Sequence, residues 1–256
     1  MIINDVNKMT QQPARIVSLV PSQTELLFDL GLEDKIVGIT KFCVHPVHLR
    51  QNKTIIGGTK NIDINKIKTL NPQLIIANKE ENIKDQVELL AATFPVLVTD
   101  VNDLSSALQM IDDIGQITHT VQKAVMLKDE IKNSFASLSF YPVINACYLI
   151  WKAPYMTIGG DTFIHDMLAH CGFRNIFAER SRYPIIDIEL LKTMNCQVLL
   201  LSTEPYPFKK KHVDELKLLL PDTQVIMVDG EMFSWYGTRL LQAAVYFKSL
   251  RSMLRL

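Results

Sequence analysis

The sequence predicts an α/β protein of two lobes with parallel sheets, joined by a single long backbone helix. Three observations carry this. Short β-branched strands alternate with amphipathic helices, the alternation pauses over one long helical stretch before restarting, and one twelve-residue module occurs twice.

Arg15 to Val20 reads as a buried strand, ended by Pro21. Ser22-Gln23-Thr24-Glu25 has the spacing of a capping box, so a helix is expected through Leu30, with Gly31 as its stop. Ile36 to Thr40 forms the next strand, completing a strand–helix–strand unit. Helices over Ile64 to Leu70, Asn82 to Thr93 and Leu104 to Ile114 alternate with strands over Leu74 to Ala77 and Val96 to Thr99. After Gly115, Ile117, Val121, Val125, Ile131, Phe135 and Leu138 keep a mostly three- and four-residue spacing. Some twenty helical residues would span about 30 Å, enough to connect two lobes.

From Tyr141 the alternation restarts. Ala146 to Trp151, Val198 to Leu201 and Val225 to Val228 read as strands. Phe163 to His170 reads as a helix capped by Asp161 or Thr162 and stopped by Gly172, and Thr238 to Leu254 as the closing helix. The expected division is an N-terminal lobe over 1–115, a connecting helix over 116–140 and a C-terminal lobe over 141–256. The repeat supports it. Ile62 to Gln73 and Ile186 to Gln197 match at seven of twelve positions, at an offset of 124 residues, and each precedes an apolar strand. Two such modules flanking a long helix imply two Rossmann-like lobes with a cleft between them. Asp63 and Asp187 read as helix N-caps, and Glu189 as a first-turn acid that complements the helix dipole.

Composition narrows the function. Lys+Arg and Asp+Glu both total 27, which argues against a nucleic-acid partner. The basic cluster Lys209 to Lys211 reads as a solvated turn in a Pro-rich loop. No apolar run is long enough to span a membrane. Met1 to Asp5 lacks a signal's basic and apolar regions, which reads as a cytoplasmic chain or one whose export signal lies outside the sequence. Cys43, Cys147, Cys171 and Cys196 are scattered without a CxxC pair, and Cys147 and Cys196 sit in apolar runs as buried thiols.

Candidate ligand-facing residues follow from strand ends, where α/β folds place ligands. After the second strand come Phe42, Cys43 and His45, and after the Leu74 strand Lys79 and Glu80. Cys43 and His45 could give sulfur and nitrogen to a soft or borderline metal, with Glu80 completing the set. A buried thiol beside a loop histidine is the plainer reading. Lys79 could hold an anionic ligand. Trp151 and Tyr155 flank another strand end, and Trp235, Tyr236 and Arg239 open the last helix. Both tryptophans thus map to one expected cleft, where large flat ligands bury area on such rings. Trp235 and Tyr236, beside Gly237 in a turn, read as exposed.

Enzyme signatures are missing: there is no GxSxG elbow, no phosphate-binding GxxxxGK[ST], no GxGxxG after a strand and no HExxH. The chain therefore reads as a binding protein that requires no cofactor. The sharpest enzymatic alternative is a metal-dependent hydrolase on Cys43, His45 and Glu80. A third reading is an intracellular sensor or carrier, relying on a partner protein and lacking a transporter.

The order and spacing of several segments carry a resemblance. They are Arg15-Ile-Val-Ser-Leu-Val-Pro-Ser-Gln-Thr-Glu-Leu, Gly31 followed by Lys35-Ile-Val-Gly-Ile-Thr, and Ile64 to Ile76 with its Leu-Asn-Pro-Gln-Leu-Ile core. Ile158-Gly-Gly-Asp, Cys171-Gly-Phe-Arg-Asn-Ile-Phe177 and Phe233-Ser-Trp-Tyr-Gly-Thr-Arg239 continue it. Over almost its whole length the chain resembles the periplasmic binding proteins with a helical backbone, particularly their vitamin B12-binding and siderophore-binding branch. The resemblance implies a monomeric, periplasmic ABC-importer receptor that holds a small-molecule metal chelate in the cleft, with cobalamin, haem or a ferric chelate as cargo. It also implies docking to a membrane permease through one exposed Glu per lobe. By position these are Asn65 and Glu189; Asn65 departs from the pattern, and Asp63 is the nearby substitute.

Overall fold

The computed structural model describes residues 1–9, 11–138 and 142–254. The chain divides into two compact units. Unit 1 comprises Met1–Val101, Ser105–Lys132 and Tyr236–Arg239; unit 2 comprises Asn102–Leu104, Asn133–Trp235 and Leu240–Leu256. The segment Tyr236–Arg239, expected in the C-terminal lobe, thus groups with unit 1. The boundary expected between 140 and 141 falls outside the described residues, as does Tyr141.

Unit 1 runs β1 (Ile16–Ser18), α1 (Pro21–Asp29), β2 (Ile36–Ile39), α2 (Leu49–Asn52), β3 (Thr54–Ile55), α3 (Ile64–Leu70), β4 (Leu74–Asn78), α4 (Lys84–Ala91), β5 (Val96–Thr99), α5 (Leu104–Ile117) and α6 (Val121–Ala136), with Leu104 and the last four residues of α6 falling in unit 2. Its sheet is parallel throughout, in the order β3-β2-β1-β4-β5. The chain moves outward from β1 to β3, then returns to the far side of β1 with β4. Val17, Ile56, Ile67, Ile75, Leu90 and Val96 pack its core. β3 escapes sequence reading because two residues show no period.

Two local expectations are corrected here. Ser22 does not cap α1: Pro21 takes the first helical position, where its missing N–H costs nothing, and Val20 is the N-cap without a side-chain bond. Glu25 is thereby released for another partner. The helical run after Gly115 is also divided. α5 continues through Gly115 to Ile117, His119 turns left-handed with φ of 57°, and α6 starts at Val121. The Thr118 hydroxyl donates to the Ile114 carbonyl at 2.6 Å and closes the last turn of α5. Gly115 serves packing rather than termination, since a Cβ there would lie 2.4 Å from that of Ala124.

Unit 2 runs β6 (Ile144–Leu149), α7 (Phe163–His170), β7 (Phe173–Asn175), β8 (Val198–Ser202), α8 (Lys210–Leu219), β9 (Gln224–Val228), α9 (Glu231–Ser234) and α10 (Arg239–Met253). Its sheet is parallel in the order β7-β6-β8-β9. Leu149, Phe177, Leu199, Leu201, Leu216 and Val225 form its core, together with Cys147 and Cys196. Burial pushes the Cys196 thiol up to about 11, and the Cys147 thiol higher still. Thr162 caps α7 and Gly172 follows it with φ of 79°, as expected. The lysine cluster is solvent-exposed, as expected, but opens a helix rather than a turn: Lys209 is the N-cap of α8, and its amide donates to His212 Nδ1 at 2.9 Å.

The two copies of the repeat fold alike. The Asp63 carboxylate accepts from the Lys66 amide and that of Asp187 from the Glu189 amide, each at 3.0 Å. Asn71 and Asn195 are both left-handed, with φ of 43° and 44°. Gln73 Oε1 accepts from the Ala14 amide at 2.6 Å, and Gln197 Oε1 from the Asn145 amide at 2.9 Å. The copies differ in winding: α3 is an α-helix, whereas Ile188–Lys192 is a 3₁₀ turn.

Asparagine tolerates the left-handed region because its short polar side chain bonds locally, whereas β-branching clashes there. Asn71→Val and Asn195→Val are each expected to lower unfolding stability by about 1–3 kcal/mol in urea titration, and Asn→Gly at either position to leave it nearly unchanged.

Candidate ligand-binding site

In unit 1 the carboxyl ends of β1, β4 and β5 carry a fixed polar network. Thr99 Oγ1 donates to the Ala77 carbonyl at 3.1 Å and accepts from Gln23 Nε2 at 2.5 Å and Asn78 Nδ2 at 3.1 Å. Asn78 Oδ1 accepts from the amides of Glu80 and Glu81, and Asn82 Oδ1 from the Asn78 amide. Asn82 Nδ2 donates to the carbonyls of Leu19 and Thr59. These buried amides rigidify the 79–82 loop, so the expected Lys79 and Glu80 sit on a preset backbone. Lys79 is exposed and pairs with Asp100 at 2.7 Å, which compensates its charge.

The β2 loop presents Phe42, 49% exposed, with Lys41 Nζ 5.0 Å from its ring centre. Cys43, next to it, is fully buried, its sulfur 3.1 Å from Thr24 Oγ1 and 3.3 Å from Thr40 Oγ1. Burial raises its pKa, so the thiolate a metal would need is disfavoured. His45 and Glu80 are each half-buried. The expected metal set is not assembled: among the described residues no group of three or more His, Cys, Asp or Glu side chains is placed to hold a metal ion.

Arg239, expected among the ligand-facing residues, is engaged inside the fold. It is buried in unit 1 and bonds Glu25 with two prongs, Nε to Oε2 at 3.0 Å and an NH2 nitrogen to Oε1 at 2.6 Å. Burial raises the Glu25 pKa against the opposing pull of Arg239. Tyr236 is likewise buried, its phenol pushed up by burial and by Glu81. The adjacent glycine turns the chain inward. Gly237 has φ of 87°, and this turn lays the segment against α1 rather than into solvent.

In unit 2 Trp151 follows β6, is 40% exposed and stands edge-on to Tyr206 with ring centres 5.6 Å apart. Tyr206 packs against Phe208 and His212, which hold it from behind. Lys152 bonds Glu215 at 2.5 Å and lies 6.0 Å from the ring centre of half-buried Tyr155. Trp235, expected to be exposed, is 8% exposed, and its indole N–H donates to Glu204 Oε1 at 3.1 Å. The Ser234 hydroxyl donates to the same oxygen at 2.6 Å. Burial, then Glu231 and Asp229, raise the Glu204 pKa against these two hydrogen bonds. Position 230 must be glycine, because a Cβ would meet Glu204 Cγ at 2.4 Å.

Sequence reading missed Glu25, Glu204 and Tyr206. Glu25 was masked by the capping-box spacing. Glu204 and Tyr206 had a signal: Thr-Glu-Pro-Tyr directly follows the apolar strand β8, the position where parallel sheets carry ligand groups.

The model of a family described as periplasmic binding protein matches residues 16–218. An uncharacterised ABC transporter substrate-binding lipoprotein of Bacillus subtilis is 27% identical over 208 residues, which are 72% of this chain and 62% of that protein's length. A vitamin B12-binding protein of Yersinia pestis is 24% identical over 253 residues, covering 95% of this chain and 88% of the relative. Among solved structures, the periplasmic vitamin B12-binding protein of Vibrio cholerae matches with a TM-score of 0.76 at 22% identity, covering 94% of this chain and 97% of that one. A periplasmic heme-binding protein of Roseiflexus sp. RS-1 matches at 0.78 and 22%, covering 93% and 98%. At these identities the solved structures share the fold.

Glu204→Gln keeps the acceptor for Ser234 and Trp235 but removes the buried charge. A raised folded-state pKa means that the wild type is stabilised relative to this variant at low pH and loses that advantage as pH rises from 4.5 through the raised value. Thermal unfolding across pH 4 to 8 (roughly the carboxylate-to-neutral range) is expected to show the variant gaining on the wild type as pH climbs.

Proposed function

This chain belongs to the periplasmic binding protein family, and we propose that it is the cargo receptor of an ABC-type importer for cobalamin, haem or a ferric chelate. The named relatives are binding and substrate-binding proteins, which supports a role in binding rather than catalysis. The observation that carries the cargo class is Trp151. This large apolar ring stays 40% exposed at the carboxyl edge of a parallel sheet, braced by Tyr206. A ring held at a strand end buries area against a flat macrocycle at little entropic cost. Phe42 and Lys79 are the other expected contacts that are exposed, and His45, Glu80 and Tyr155 are half-buried. Trp235, Tyr236 and Arg239 act behind the surface, and Cys43 belongs to the core.

Docking to a permease rests on the exposed turn that carries Glu189. Its carboxylate pairs with Lys192 at 2.6 Å, a contact that solvent weakens and a partner's arginine could replace. Asn65 is exposed but neutral, and the Asp63 carboxylate is engaged as an N-cap. Docking is therefore carried mainly by unit 2, with the protein acting as a monomer.

Thermal unfolding of the purified chain against cobalamins, haemin and ferric siderophores tests the reading. A true cargo at a hundredfold excess over its Kd adds about 2.7 kcal/mol of stability. Trp151→Ala is expected to weaken that binding by about tenfold or more without lowering the stability of the free protein much. No stabilisation by any of these chelates would overturn the cargo class.

A further inference from the structure

Behind Trp151 stands a short file of rings, all within unit 2. Trp151 meets Tyr206 with ring centres 5.6 Å apart, and Tyr206 meets Phe208 at 4.8 Å and His212 at 5.6 Å. Phe208 stands edge-on to His212, also at 5.6 Å. His212 is 4% exposed, so the half-buried Tyr206 rests on a ring that solvent barely reaches. The same imidazole has a second task. It is the third residue of α8, and its Nδ1 accepts from the amide of the N-cap residue Lys209 at 2.9 Å, as a glutamate or glutamine does in a capping box. Nδ1 therefore carries no proton, and the neutral ring holds its proton on Nε2.

We propose that His212 is the positioning residue for Trp151, holding Tyr206 behind it while neutral and releasing both when Nδ1 is protonated. The proposal rests on Trp151 being the cargo contact, and it gives that contact a dependence on pH. A proton on Nδ1 points at the Lys209 N–H, so the cap bond is lost and the ring must turn away. The charges around the ring oppose that protonation. Lys152, in the loop after β6, and Lys209 and Lys211, at the start of α8, are positive. Glu215, further along α8, is the facing carboxylate, and it is already bonded to Lys152 at 2.5 Å. The other facing rings, Tyr206 and Phe208, lie in the loop before α8. Burial first, then Lys152 and Lys211, hold the His212 pKa below its ordinary 6.5. A depressed pKa means that the neutral, capping ring is fully favoured above 6.5, and its support is lost as pH falls through the lowered value.

Fluorine NMR of the full chain labelled with 5-fluorotryptophan tests this without any cargo. The chain has two tryptophans, and Trp151→Phe assigns their resonances. The Trp151 resonance is expected to shift as pH falls, with a midpoint below 6.5. The shift is expected to vanish in His212→Gln, which keeps an acceptor for the Lys209 amide but cannot titrate. Lys211→Gln removes one opposing charge and is expected to move the midpoint upward; it carries the test should His212→Gln fail to fold. Trp235, held by Glu204, is expected to respond alike in the wild type and both variants. A Trp151 resonance that does not titrate below 6.5, or that titrates alike in all three proteins, would overturn the proposal. So would a Trp235 response that changes together with that of Trp151, which reports general loosening. A chelate whose binding needs Trp151 while that resonance ignores His212 overturns the proposal and leaves the cargo reading standing. The expected titration with no chelate bound supports the positioning role and sinks the cargo reading alone.

Discussion

Parallel pairing of the strands is the constraint from which the remaining features follow. A parallel pair cannot be closed by a tight turn, so each strand must be followed by a crossover, and in both units helices fill most of these crossovers. The inner strands are then covered on both faces, and β4 and β8 are buried along their whole length. Every carboxyl strand end in a unit emerges at the same edge. Phe42, Lys79 and the Asn78–Asn82–Thr99 network share that edge in unit 1, as do Trp151, Tyr206 and Glu204 in unit 2. A fold chosen by backbone hydrogen bonding thus assembles binding side chains that are far apart in sequence.

Within that edge the buried polar groups divide into two kinds. The amides of Gln23, Asn78 and Asn82 stay neutral and lock loops through hydrogen bonds, a rigid support for whatever the loops present. Glu25 and Glu204 are ionisable and costly to bury. Each is accepted where it holds the 234–239 segment, through Arg239 in one unit and through Ser234 and Trp235 in the other. Buried charge here specifies position more than it adds stability.

The internal repeat gives the same lesson at smaller scale. Three of its seven matched pairs have a backbone duty: an aspartate that caps, an asparagine that turns left-handed, a glutamine whose side chain accepts from a backbone amide distant in sequence. The unmatched positions are free to diverge. Asn65 and Glu189 occupy equivalent exposed sites, and one has lost the charge that the other keeps.

The sequence by itself determined what depends on local chemistry. Helix α3, strand β5 and helix α7 fall at the expected residues, because their apolar period, caps and glycine or asparagine stops all lie within a few positions of one another. The family, too, was legible, since its motifs are spread along the chain in fixed order. Only the tertiary structure decided the fate of groups whose partners are distant. Glu25 fits a capping box until Arg239, 214 residues away, claims it. Trp235 and Tyr236 look exposed beside a glycine until Glu204 and α1 bury them. Cys43, His45 and Glu80 leave a metal set open beside the plainer reading of a buried thiol, until the fold sends the thiol into the core. Periodicity records which face of an element is apolar. It does not record which charged or aromatic side chain will find a partner across the fold, because that is fixed by packing between residues the sequence keeps far apart.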